Sequence, residues 1–150
     1  MRLMLDDLDK SILNMLQEDA RASFADVARK LKVSEGTVHL RVKKLKDSGV
    51  IRGFYTVLSP DKVGKGLTAI VCIKADPAKY PDVLNALNSM KDVYEIYDVT
   101  GEFYAVLKIR TTDMNGLTKI IDELGEVNGI NSTQTIVVLR TIKEQLKIEL

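Results

Sequence analysis

The sequence predicts an α+β fold: an N-terminal helix-turn-helix domain joined by a strand and hinge to a C-terminal ferredoxin-like βαββαβ domain. Three observations lead there. Apolar residues in the first fifty positions recur at helical spacing, the second and third of these helical stretches are separated by a very short turn, and the second half carries a weak internal repeat at about 36 residues. The corresponding domains are 1–52, a linking strand and hinge over 53–66, and 67–150.

Leu5, Leu8, Ile12 and Leu16 form the first helical stripe, Val27, Ala28 and Leu31 the second, and Val38, Val42 and Leu45 the third. Asp6 with Asp9, Ser23 with Asp26, and Ser34 mark the starts, because each can accept from the unpaired N–H groups of a first turn. Gly49 suits the left-handed position that ends the third helix. Only Lys32 and Val33 remain between the second helix and the Ser34 cap, so the two helices must turn sharply and cross.

Beyond Gly49 the run from Val50 to Leu58 reads as a strand, broken by Ser59, Pro60 and Asp61. The second half opens with a strand over Leu67 to Lys74, followed by a helix with Tyr80, Val83, Leu84, Leu87 and Met90 on one face, then a strand over Val93 to Val99. A strand over Phe103 to Arg110, a helix carrying Leu117, Ile120, Ile121 and Leu124, and a strand over Gln134 to Thr141 repeat the pattern. Thr100, Gly101 and Glu102 read as a tight hairpin turn, with Gly101 available for positive φ.

Two helices on one face of a four-stranded sheet leave the other face uncovered. Alternation puts Tyr104 and Val106 opposite Phe103, Ala105 and Leu107, so both faces carry apolar side chains, and the open one is expected to pack on another subunit. It also separates Tyr97 from Asp98, and Tyr94 and Tyr97 are read as packing residues.

No stretch approaches the roughly 18 apolar residues of a membrane span, and the opening MRLMLDDLDK turns acidic where a signal peptide would turn apolar. A cytoplasmic protein without a membrane partner is expected. The single cysteine, Cys72, excludes an intrachain disulfide and lies in an apolar run that suggests a buried, inert position. With His39 the only histidine, metal or triad chemistry finds little support, and neither a cofactor nor a catalytic residue is expected.

Net charge is only +1, but it is unevenly divided. Residues 1–66 hold 13 Lys or Arg against 9 Asp or Glu, a net +4, whereas residues 67–150 hold 9 against 12, a net −3. The densest basic cluster, Arg41, Lys43, Lys44 and Lys46, falls on the third helix. A helix laid in the major groove of double-stranded DNA reads base edges with its N-terminal residues, which makes Glu35, Gly36, Thr37, His39 and Leu40 candidates for readout. Arg41, Lys43 and Lys44 stand further along, suited to phosphates or, for Arg41, a guanine. Ser23 and Ser34, at the two helix starts, complete the candidate DNA-contacting set. A basic run is often only a solvated face, but here charge, spacing, caps and turn agree.

The unit ending in Lys44-Leu45-Lys46-Asp47-Ser48-Gly49-Val50-Ile51 resembles the DNA-binding domain of the Lrp/AsnC (feast/famine) transcriptional regulators. Val99-Thr100-Gly101-Glu102-Phe103-Tyr104 resembles that family's Gly-Asp-Tyr-Asp hairpin, with Glu102 where Asp is common and Phe103-Tyr104 in place of Tyr-Asp. Ser132-Thr133-Gln134-Thr135, followed by Ile136, resembles its Thr-x-Thr segment. The resemblance implies a homodimer joined through the C-terminal sheets, often an octamer, with an amino acid effector bound between dimers. The effector pocket would take Val99, Thr100, Gly101, Glu102, Phe103 and Tyr104 from one subunit. Ser132, Thr133, Gln134, Thr135 and Ile136 would come from a neighbour.

Turn amides around Gly101 could meet a carboxylate, and Glu102 an ammonium group. Read without the resemblance, the same residues are a hairpin and a run of good strand formers. Two other functions stay open: a DNA-organising protein without an effector, and an enzyme akin to the siroheme decarboxylases. Residues 143–150, which alternate charge with Leu146, Ile148 and Leu150, suit an edge or assembly segment.

Overall fold

A computed structural model describes residues 4–150. The first three residues of the N-terminal domain and of the acidic opening lie outside the described residues. The chain forms two compact units: one runs to Val57 and also takes in Glu144–Leu150, and the other is Leu58–Lys143.

The first unit contains α1 (Asp7–Glu18), α2 (Phe24–Leu31) and α3 (Glu35–Asp47). All three expected caps are present. Asp6 accepts from the Asp9 N–H at 2.8 Å while the Asp9 carboxylate accepts from the Asp6 N–H at 3.3 Å, a reciprocal capping box. Ser23 accepts from Asp26 N–H and Ser34 from Thr37 N–H, each at 3.1 Å. Between α2 and α3 the backbone reverses at Lys32, which holds a left-handed φ of 57°, and Val33 N–H bonds the Ala28 carbonyl at 3.0 Å. Ile12, Val27, Val38 and Val42 are packed in the centre of the unit. Leu45 is likewise fully buried. At about 1.5–3 kcal/mol per fully buried aliphatic side chain, this small core holds the crossed helices together.

The second unit is a four-stranded antiparallel sheet in the order β2-β3-β1-β4, with β1 Leu67–Ala75, β2 Val93–Asp98, β3 Ala105–Thr111 and β4 Ile130–Val137. Helices α4 (Tyr80–Ser89) and α5 (Met114–Glu126) bury Val83, Leu87, Leu117 and Leu124 against Val71, Ile73, Leu107 and Ile109. This is the expected βαββαβ arrangement. The register puts Ile70, Cys72, Val106, Tyr97 and Ile136 on the opposite face, which no helix of this unit covers. Tyr97 and Asp98 fall on opposite faces as expected, Tyr97 paired with Val106 and Asp98 with Ala105.

Three strand expectations need correction. No strand forms over residues 50–58, since β-propensity cannot supply a ladder partner for the backbone N–H and C=O groups there. The last strand runs from Ile130 to Val137, not from Gln134 to Thr141. The apolar run after Thr135 drew the sequence reading forward, but register with β1, from Ala75 opposite Ile130 to Ala69 opposite Val137, selects the more polar stretch. An edge strand with one open face tolerates those polar side chains. Finally, β2 and β3 are joined by residues 99–104, a longer connection than the tight turn expected at Thr100–Glu102, closed by Val99 N–H on the Tyr104 carbonyl at 3.2 Å.

Candidate nucleic-acid interface and effector site

Helix α3 turns Val38, Val42 and Leu45 inward, and this leaves Glu35, Gly36, His39, Leu40, Lys43 and Lys44 exposed. Leu40 stands 71% exposed, without any packing role in the unit. His39 lies edge-on to Phe24 of α2, ring centroids 4.6 Å apart, and its Nε2 is 3.7 Å from the Glu35 carboxylate. These contacts hold the imidazole upright at the start of the exposed face.

The remaining candidates are engaged within the unit. Ser23 and Ser34 cap their helices, and the Ser34 hydroxyl also pairs with the half-buried Thr37 hydroxyl at 2.8 Å. Arg41 reaches back to α1, where its Nη1 bonds the Asp6 carboxylate and, at 3.0 Å, the Asp9 carboxylate. The Asp9 side chain is only 1% exposed, so Arg41 compensates a carboxylate that water scarcely reaches. The Asp9 N–H, and then the Arg41 guanidinium, hold the Asp6 carboxyl below its usual value. Lys43, Lys44 and Lys46 have no carboxylate within ion-pair distance among the described residues, and they form the uncompensated positive face of the helix.

In the second unit, the predicted hairpin residues Val99, Thr100, Gly101 and Glu102 are exposed, with Gly101 at φ +109°. Glu102 pairs with Lys74 at the end of β1, and the Lys74 ammonium also lies 5.5 Å over the Phe103 ring. Tyr104 departs from the expected alternation. Its N–H bonds the Ile73 carbonyl at 2.9 Å, and its ring packs 5.1 Å from that of Tyr80 on α4. The Tyr80 hydroxyl donates to the Asp98 carboxylate, and burial together with that carboxylate pushes the phenol up to about 12. It therefore remains a donor at neutral pH and ties α4 to the base of the hairpin.

Residues 132–136 do not form one surface. Ser132, Gln134 and Ile136 share the open face with Lys74, Cys72 and Ile70, whereas Thr133 and Thr135 pair with Ile73 and Val71 on the helix-covered face. Lys74 is the residue that sequence reasoning missed. It is hydrogen-bonded to Glu102 and stands opposite Ser132 in the register, so it joins the two candidate segments at one end of the sheet. A lone lysine closing an apolar strand gives no signal of this. Tyr80 was read only as part of an apolar helix face, and Asp98 only by the strand face it takes, because the bond between them joins residues 18 positions apart.

Among the described residues no three of His, Cys, Asp or Glu converge as metal ligands, and no helix is long and apolar enough to cross a membrane. Comparison with known proteins matches residues 5–46 to the AsnC-type helix-turn-helix domain and residues 68–148 to the Lrp/AsnC ligand binding domain. The chain is 35% identical over 148 residues to the HTH-type transcriptional regulator FL11 of Pyrococcus abyssi, covering 99% of this chain and 98% of that protein. The solved structure of E. coli AsnC is similar at a TM-score of 0.90 with 31% identity, over 95% of this chain and 97% of that one. An L-methionine complex of a transcriptional regulator from Neisseria meningitidis also scores 0.90, at 28% identity and 97% coverage of both chains.

Proposed function

Since the chain belongs to the Lrp/AsnC family of helix-turn-helix transcriptional regulators, we propose that paired α3 helices read a pseudo-palindromic DNA site and that an amino acid bound at the 99–104 hairpin shifts assembly or DNA affinity. The observation that carries the DNA reading is the split among the basic side chains. Arg41 is held by α1, while Lys43 and Lys44 keep an uncompensated charge on an exposed helix face. Those two lysines meet phosphates, and Gly36, His39 and Leu40 approach base edges, Leu40 suiting the methyl group of thymine.

The effector reading rests on Lys74 and Glu102. A zwitterion can exchange partners with this ion pair, its carboxylate moving to Lys74 and the turn amides at Gly101 and its ammonium group to Glu102. A copy in a neighbouring dimer supplies Ser132, Gln134 and Ile136 from its edge strand, the homodimers being built through the C-terminal sheets and assembled towards an octamer. The protein that results acts in the cytoplasm, on DNA, without a resident cofactor.

The test has two arms. Selection from a randomised duplex pool should return a symmetric site with half-sites about 10 bp apart or a multiple of that. Recovery of DNA without any common motif would overturn sequence-specific reading. A thermal-shift screen of the twenty amino acids, L-methionine among them, should give a selective rise that Lys74→Ala removes. No shift at millimolar concentration, or one insensitive to Lys74, would overturn the effector site.

A further inference from the structure

The second unit holds a cavity of about 530 Å³ that shares no residue with the 99–104 hairpin. It lies between the end of β3, one flank of α5 and the turn from α4 into β2. Thr111, the last residue of β3, lines it and is only 2% exposed. Among the described residues no hydrogen bond reaches the Thr111 hydroxyl, and no fully buried side-chain oxygen or nitrogen lacks a partner. The small accessible part of Thr111 is therefore its hydroxyl, turned to the cavity, and a nearly buried donor of this kind calls for an acceptor from outside the chain. A Cβ on Gly116 would stand 2.3 Å from the Thr111 hydroxyl oxygen and 3.2 Å from that of Thr112. The two hydroxyls thus converge where the missing side chain leaves room.

Charge points to the class of ligand. Three lysines line the cavity against two carboxylates. Lys65 is bound to Asp92 at 2.5 Å, a bridge that ties the segment before β1 to the start of β2 and leaves neither group for a ligand. Lys91 and Lys119 are exposed, and among the described residues neither has a carboxylate within ion-pair distance. We propose that this cavity binds a small phosphate ester of a polyol or sugar. Two ammonium groups and the threonine hydroxyls are the donors that a tetrahedral dianion accepts from. Glu123, one helical turn beyond Lys119, also has no ion-pair partner there, and it accepts from the hydroxyls of the alcohol part. The volume is that of a metabolite pocket and exceeds what phosphate alone fills. Thr111 and the hairpin lie at opposite ends of β3, roughly 20 Å of extended strand apart, so this site stands or falls independently of the effector site.

Calorimetric titration of the full chain with glycerol 3-phosphate, in phosphate-free buffer and without DNA, tests this. Saturable binding at millimolar concentration or below is expected, weakened about tenfold or more by Lys119→Gln and by Thr111→Val, which keeps the side-chain shape. Lys43→Ala and Lys74→Ala should leave it unchanged. Amide NMR shifts on titration should centre on Thr111, Thr112, Gly116 and Lys91. No saturable binding, equal affinity in Lys119→Gln and Thr111→Val, or shifts centred on α3 or on residues 99–104 would overturn the site. Inorganic phosphate should bind more weakly than the ester, and equal affinity would overturn the assignment of an ester.

Discussion

Arg41 shows how one side chain can look like a ligand contact and act as a brace. In sequence it heads the basic cluster, and in the structure it neutralises the nearly inaccessible Asp9 while sharing Asp6, the cap of α1. Its replacement should therefore lower stability first and DNA affinity only as a consequence. Arg41→Ala is expected to reduce the unfolding temperature of the helical unit, with part of the loss recovered in Arg41→Lys. Lys43→Ala should leave that temperature unchanged and flatten the salt dependence of DNA binding by about one counterion. Equal unfolding temperatures for both variants would contradict the assignment.

The same cap fixes a pH dependence. Because the Asp6 carboxyl is held below its unfolded value of 3.8, its contribution is complete above that pH and is lost as pH falls through the lower folded value. The unfolding temperature of the helical unit should fall as pH drops below about 4. Arg41→Ala should shrink this acid-labile part without removing it, since the Asp9 N–H still bonds the carboxylate.

At the scale of elements, α5 carries two glycines that only the surrounding structure can tell apart. A Cβ on Gly116 would lie 2.3 Å from the Thr111 hydroxyl oxygen at the end of β3, whereas one on Gly125 would meet nothing within 4 Å. Helix propensity alone predicts that alanine stabilises both. We expect Gly125→Ala to gain about 0.5–1 kcal/mol and Gly116→Ala to lose about 1–3 kcal/mol through the clash with a buried threonine. Urea denaturation of the two variants decides this, and stabilisation by both would show that the α5–β3 contact relaxes freely. The three N-terminal helices were legible because caps, short turn and apolar period are all local signals. Strand β4 was displaced by four residues because its placement depends on pairing with β1, a contact far away in sequence.

For the whole molecule, the uncovered face of the sheet is the largest question that one chain leaves to its partners. Val106 and Ile70 lie half-buried at its centre, with the exposed Tyr97 and Ile136 towards the two edges. The homodimer proposed above would cover this apolar centre, which Lys108 and Gln134 flank on the same face. A charge placed there should block assembly without harming the helix-packed core on the other side. Val106→Asp is expected to move the protein to monomer in sedimentation while its second unit stays folded, and an unchanged oligomer would place the interface elsewhere. Loss of the dimer should also weaken binding to a two-half-site DNA far more than to a single half-site.

By itself the sequence determined the α+β class, the helix-turn-helix with its caps, the order of the βαββαβ elements and the resemblance to a family, because periodicity, capping and turn chemistry act over a few residues. Only the tertiary structure decided that Arg41 braces α1, that Lys74 joins the hairpin to β4, that Thr133 and Thr135 face the helices, and that residues 144–150 belong with the DNA-binding unit. Each of those depends on a partner between 28 and 131 positions away, and the free energy of burying or pairing a charge depends on that partner rather than on the residue that carries it.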